Sequence, residues 1–285
     1  MNEIIPKTIH YCWFGGNPLP ELAQKCIASW KKHCPGYEIL EWNESNFDVT
    51  CCDYVHEAYE AKKWAFVSDY ARLKILYEQG GLYFDTDVEL IKPLDDIISK
   101  GGFMGREEDL SQAATPNLCL GVTSSLGLGV NPGLGLGVSP GLSLCKELLE
   151  AYHSKHFVNK DGSYNLKTIV DYTTEILFKH GLNNTNEIQF VAGVYVYPKE
   201  YFCPIDYITG ELSITKNTYS IHHYSASWHS EKENYAVVLQ RKLSKKLPKR
   251  ISSIVGTLVS IAKYDGVKAC FKWVVKRSMF HLKSG

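Results

Sequence analysis

The chain has 285 residues, enough to bury one large α/β core or two small ones without disulfides or metals to staple it. With 45% apolar and 22% charged residues it is not a disordered chain. Its formal net charge of zero hides an asymmetry: residues 240–285 carry 12 Lys+Arg against the single acid Asp265, so the tail stands at about +11 and the body at about −11. An acidic body argues against a nucleic-acid-binding core, whereas the basic tail calls for an anionic partner, a membrane surface first.

In chain order, Thr8 to Phe14 is β-branched and aromatic and stops at Gly15-Gly16-Asn17-Pro18, which predicts a buried first strand entering a loop. Leu22 to Lys32 has helical spacing and ends before Pro35-Gly36, and Tyr37 to Trp42 reads as a second strand. Tyr54 to Glu78 predicts two helices, the second with Phe66, Tyr70, Leu73 and Leu76/Tyr77 on one stripe and Gly80-Gly81 as its cap. Leu82-Tyr83-Phe84 is a short buried strand that runs into Asp85-Thr86-Asp87. Alternating strands and helices predict an α/β fold with a mostly parallel, helix-covered sheet.

Leu118 to Leu144 repeats Gly-Leu and Gly-Val units, but no Lys-Ser/Thr follows as a phosphate P-loop needs, so short strands and turns lining a cleft are expected. Leu144 to Tyr152 reads as a helix, and Tyr195 to Tyr224 as further strands and turns. Arg241 to Lys283 reads as a basic amphipathic helical segment interrupted by Pro248 and Gly256. The nine cysteines include no C-x-x-C pair, which suits buried or half-buried thiols in a reducing cytosol. No basic start with a long apolar stretch marks a signal peptide, and no run of about 18 apolar residues marks a membrane span.

The chemistry gathers at Asp85-x-Asp87. Two carboxylates directly after a buried strand stand where open α/β sheets bind ligands. They repel unless a cation lies between them. Mg²⁺ or Mn²⁺ takes such oxygens and adds those of a diphosphate. Upstream, Asp69 and Arg72 share one helix face, either as a surface ion pair or as an acid for sugar hydroxyls beside an Arg for phosphate. Downstream, adjacent His222 and His223 alternate faces, so one of them points into a given site; His222 is favoured as the further metal ligand, with His223 next. Trp13 either packs in the core or stacks on a nucleobase.

These pieces, in this order, resemble glycosyltransferase family thirty-two. The matching residues are Ile5-Pro6-Lys7-Thr8-Ile9-His10-x-x-Trp13-Phe14-Gly15, Ala65-x-x-Ser68-Asp69-x-x-Arg72-x-x-x-Leu76-Tyr77-x-x-Gly80-Gly81-x-Tyr83-x-Asp85-x-Asp87, and Asn217 to Tyr224 with Ser227-Trp228. The resemblance implies a GT-A-type, Rossmann-like fold, a retaining hexosyltransferase and usually Mn²⁺ (or Mg²⁺). It implies Trp13 on the base, Asp69 and Arg72 on the donor sugar, with Ser68 and Thr86 among the donor-binding residues. Asp85 and Asp87 would hold metal and diphosphate, and Ser227-Trp228 would close over the phosphates. Glucosylating toxins related to the family use an acid and a Ser where this chain offers His222, which leaves the third ligand open.

The expected substrates are a nucleotide-diphosphate sugar, UDP-linked hexose or N-acetylhexosamine favoured over GDP-mannose, and a glycan or lipid-linked oligosaccharide acceptor for capsule, exopolysaccharide or lipopolysaccharide. The expected division is a GT-A catalytic domain over 1–235 and a tail over 236–285 that holds the enzyme peripherally on the cytoplasmic face of the plasma membrane. Two alternatives stand beside this: a haloacid-dehalogenase-like phosphatase using the Asp85-x-Asp87 strand end, and a non-catalytic nucleotide-sugar-binding protein.

Overall fold

The computed structural model describes residues 4–107, 129–225 and 231–274. They fall into two compact units, one of residues 4–107, 129–205 and 212–225, the other of residues 206–211 and 231–274. The first unit begins with β1 (Thr8–Cys12), α1 (Glu21–His33), β2 (Glu38–Trp42), α2 (Asp53–Glu60), α3 (Trp64–Gln79) and β3 (Gly81–Tyr83). It continues through β4 (Val88–Leu90), α4 (Asp95–Ile98), β5 (Gly102–Glu107), β6 (Gly129–Val138), α5 (Ser143–Glu150) and α6 (Ile169–Lys179). It closes with β7 (Gln189–Val191), β8 (Val194–Tyr197), α7 (Lys199–Phe202) and β9 (Ser220–His222).

Seven strands form one sheet in the order β2-β1-β3-β6-β5-β8-β7, while β4 and β9 make a separate antiparallel pair. β1 is parallel to β2 and β3, and β5 is parallel to β8. Strands β6 and β7 alone run against the other five, so the sheet is mostly parallel, as the alternation of elements predicts. Side chains alternate between its faces. Tyr83 and Met104 enter the core formed with α2, α3, α5 and α6, whereas Leu82, Phe84 and Phe103 enter the one formed with α1, α4 and α7. Burial on both faces explains why these strands read as apolar runs.

α3 departs from the expected single stripe. Phe66, Val67, Asp69, Tyr70, Ala71, Arg72, Leu73, Ile75 and Leu76 are all buried, so the helix is covered nearly all round and its two charges lie inside the protein. Gly80 ends it at φ 66°, and Gly81 follows at φ 100°. A Cβ at Gly81 would come within 2.7 Å of the Thr8 carbonyl, so this glycine lets β3 lie against β1. The Gly-Leu stretch is partly corrected: residues 129–138 form one long strand, β6, rather than short strands and turns, and residues 118–128 lie outside the described residues. The described cysteines are free and buried or half-buried.

The second unit contains α8 (Glu231–Ser244) and α9 (Lys249–Asp265). Pro248 caps α9 and separates it from α8, as expected. Gly256 does not interrupt the tail, because it lies inside α9. A Cβ there would stand 3.1 Å from the Ala236 carbonyl and 3.2 Å from the Gln240 nitrogen, so the glycine permits close packing of the two helices. No helix of the described residues is long and apolar enough to cross a membrane.

Candidate active site

Beyond β3, the buried Phe84 packs on Trp30 with ring centroids 5.6 Å apart and anchors the chain before the two acids. The Val88 N–H donates to the Asp85 carbonyl at 3.0 Å, so Asp85-Thr86-Asp87 forms a turn between β3 and β4. This is the carboxyl end of a parallel strand, the side of an α/β sheet where ligands bind.

Asp85 faces α3. Its carboxylate meets Arg72 Nη2 at 3.2 Å and Nη1 at 3.4 Å, and accepts the Tyr83 hydroxyl at 3.2 Å. Arg72 also pairs with Asp69 at 2.9 Å, donates through Nε to the Ser68 carbonyl, and lies 4.7 Å from the centre of the Tyr83 ring. Asp69 and Arg72 are 8% and 3% exposed, so the surface-pair reading of these residues is excluded. Asp69 additionally accepts the Ile169 N–H, at the start of α6, at 3.4 Å. Burial pushes its carboxyl up to about 6, against the pull of Arg72.

Asp87 faces the two-stranded sheet. Val88 pairs with His222, which brings the His222 Nε2 to 3.5 Å from Asp87 Oδ1. Ser225 donates to Asp87 Oδ2 from its N–H at 2.8 Å and its hydroxyl at 3.0 Å. Burial alone would raise the Asp87 pKa, but His222 and Ser225 outweigh it and hold this carboxylate well below the usual range. Burial likewise opposes charge on His222, and Asp87 drives the imidazole well above its ordinary value. His222 Nδ1 is buried, and the Cys203 side chain also interacts with this ring. His223 points elsewhere and bonds Glu89 at 2.8 Å, so of the two histidines His222 is the one beside the acids.

Several contributors escape a motif reading. β6 is out of step with β5: Met104 pairs with Leu136 but Gly105 pairs with Asn131, so residues 132–135 bulge from the ladder. In this bulge the Gly133 carbonyl accepts the Asp85 N–H at 2.9 Å. A Cβ on Gly133 would lie 1.8 Å from Asp85 Oδ2 and 2.8 Å from Arg72 Nη1, so only glycine fits there. Behind it, Asn131 Nδ2 donates to Glu107 at 2.9 Å within the protein. Burial raises the Glu107 carboxyl, with the His222 charge opposing. The Gly-Leu repeat is the one signal in the sequence that pointed to this wall.

His10 has a structural role: its Nδ1 faces the Trp42 indole N–H at 3.1 Å and its Nε2 the Gly80 carbonyl at 3.0 Å. The indole can only donate, so the ring is neutral with its proton on Nε2. Burial lowers its pKa in keeping with this. Trp13 is half-buried and donates its indole N–H to the Asn17 carbonyl at 2.6 Å. Ser68 bonds back to the Trp64 carbonyl, and Thr86 is half-buried between the two acids. Ser227 and Trp228 lie outside the described residues.

Among the described residues no three His, Cys, Asp or Glu side chains stand together as a ligand set for a metal ion. The Asp87–His222 pair would offer Mn²⁺ or Mg²⁺ one oxygen and, once the imidazole has given up its proton, one nitrogen, with substrate oxygens completing the coordination. Asp85, turned to Arg72, is not grouped with them.

Residues 20–104 match the family model described as a glycosyltransferase sugar-binding region containing a DXD motif. The chain is 29% identical over 143 residues to Subversion of eukaryotic traffic protein A of Legionella pneumophila, covering 40% of this chain and 22% of that protein. It is 31% identical over 113 residues to inositol phosphoceramide mannosyltransferase 1 of Schizosaccharomyces pombe, covering 36% and 34%. The chain thus spans about a third or less of the length of these relatives. A solved structure, the PaToxG glycosyltransferase, aligns with 62% of this chain and 70% of its own at 18% identity and a TM-score of 0.45. The match over residues 20–104 contains Asp69, Arg72, Asp85 and Asp87, so this part of the chain is similar to glycosyltransferase sugar-binding regions with a DXD motif.

Proposed function

We propose that the protein is a retaining, metal-dependent glycosyltransferase that moves a hexose or N-acetylhexosamine from a nucleotide-diphosphate sugar to a glycan acceptor of a surface polysaccharide. A UDP-sugar is the favoured donor, with GDP-mannose next. The observation that carries the reading is the convergence of Asp85, Asp87, Arg72, Asp69 and His222 at the carboxyl end of β3.

The difficult step of glycosyl transfer is breaking the bond between the anomeric carbon and the diphosphate oxygen, as negative charge grows on the leaving group. Mn²⁺ or Mg²⁺ bound by Asp87 and His222 would supply Lewis-acid stabilisation of that charge. Arg72, already charged and buried, adds a fixed cation that needs no reorganisation during the reaction. Asp69 and Asp85 orient Arg72 from two sides, and Asp69 is assigned to the donor sugar's hydroxyls. Trp13 is assigned to the nucleobase, with Ser68 and Thr86 in the donor site.

Catalysis is assigned to residues 1–235 and surface attachment to 236–285, with α8 straddling the boundary. Exposed Ile251, Val259, Val267 and Phe271 beside exposed Lys268 and Lys272 support an interfacial role at an anionic, cytoplasm-facing membrane. Turnover of UDP- and GDP-sugars with Mn²⁺, with and without acceptor glycans, tests the catalytic reading. Metal-dependent release of UDP or GDP supports it. Hydrolysis of a phosphate monoester such as p-nitrophenyl phosphate, with the sugar nucleotides left intact, would favour the phosphatase, and tight binding without turnover the non-catalytic protein.

A further inference from the structure

The bulge in β6 requires an explanation, because it interrupts a ladder between two central strands of the sheet. Residues 132–135 leave the β5–β6 pairing, and the Gly133 carbonyl instead accepts the Asp85 N–H at 2.9 Å. The bulge therefore sets the backbone of one of the two acids. Its own shape is held by Asn131, whose Oδ1 accepts the Gly133 N–H at 2.7 Å. A backbone N–H can only donate, so this contact fixes the amide orientation and turns Nδ2 toward Glu107. There Nδ2 donates to Glu107 Oε2 at 2.9 Å. Glu107 and Asn131 are both 8% exposed, so water has little access to replace a lost partner.

We infer that Glu107 is a positioning residue: through Asn131 it fixes the bulge at Gly133 against Asp85, and so sets where that carboxylate and Arg72 stand in the donor site. Glu107 needs only an oxygen acceptor for this task, which Gln also provides. The functional part rests on the donor-site reading given above, whereas the mechanical part does not. A displacement of about 1 Å at a reacting centre costs up to about 100-fold in rate, so a remote brace of this kind has a large lever.

The test compares Glu107→Gln with Glu107→Ala in the full chain, by amide hydrogen exchange and by nucleotide-sugar turnover. In Glu107→Ala the Asp85 and Gly133 amides should lose about tenfold or more of their protection, while the Trp13 amide, bonded to Trp42 in β2, stays unchanged. Glu107→Gln should keep protection and kcat within about twofold of the wild type, and Glu107→Ala should lose kcat more than KM. Unchanged protection of Asp85 and Gly133 in Glu107→Ala overturns the inference, whether or not the enzyme turns over. Equal loss in Gln and Ala variants also overturns it, in favour of a role for the negative charge. Absence of turnover in the wild type would count against the donor-site reading alone, since the exchange result stands independently.

Discussion

Asp85 and Asp87 are two residues apart, yet opposite parts of the first unit hold them. Asp85 is gripped by α3 through Arg72, by Tyr83, and by the glycine wall of β6. Asp87 is held by the return of β9 through His222 and by Ser225. The first arrangement is an ion-pair cluster in which Arg72 and Asp69 are buried, while Asp85 keeps 29% of its side chain exposed. The second is a buried carboxylate whose oxygens meet an imidazole on one side and the Ser225 N–H and hydroxyl on the other. Under the proposed function the contrast becomes a division of labour: Asp85 orients a fixed cation, and Asp87 with His222 would exchange their present partners for the metal.

Substitutions can break that contrast, and the largest effect is expected at Arg72. Removing one member of a buried ion pair strands the others, so Arg72→Ala should lower stability by about 3–5 kcal/mol in denaturant unfolding. Asp87→Asn should leave the fold in place, read by thermal unfolding, and cut transfer by about 100- to 1000-fold, as loss of an electrostatic partner in a reaction centre does. Gly133→Ala should act on the Asp85 side alone, lowering kcat by about tenfold to 100-fold by pushing the carboxylate from Arg72. If this variant and Asp87→Asn had the same effect on the metal concentration needed for turnover, the division would fail.

Two smaller effects sharpen the picture. Asp69 has its folded-state pKa raised from 3.8 to about 6 by burial, so its favourable contribution is complete below about 4 and is lost as pH rises through 6. The unfolding midpoint of the wild type relative to Asp69→Asn should therefore fall from pH 4 to pH 6 and level off above. His223→Ala removes only a part-exposed pair with Glu89 and should cost no more than about 1 kcal/mol, whereas His222→Ala should act on metal dependence.

Much of this was legible in the sequence, and for identifiable reasons. The strand ending at Phe84, the two helices before it and the Gly80-Gly81 stop are set by local rules, and these position Asp69, Arg72, Asp85 and Asp87. Face alternation at the end of β9 separates His222, its last residue, from His223 just beyond it without any long-range information. The burial of α3 was not legible, because its stripe of large apolar residues does not reveal that Asp69 and Arg72 also face inward. Nor was the Glu107–Asn131–Gly133 brace, since a bulge is a mismatch between two strands and neither strand encodes it alone. Gly256 misled for a related reason: inside a helix, glycine can mark a close neighbour as well as a break.

Titration calorimetry with UDP and Mn²⁺, on the wild type and on Asp87→Asn of matched thermal stability, reads the donor site without any knowledge of the acceptor. The account predicts that the wild type binds UDP in a Mn²⁺-dependent way and that Asp87→Asn loses this dependence. Equal, Mn²⁺-dependent binding by both proteins would contradict it.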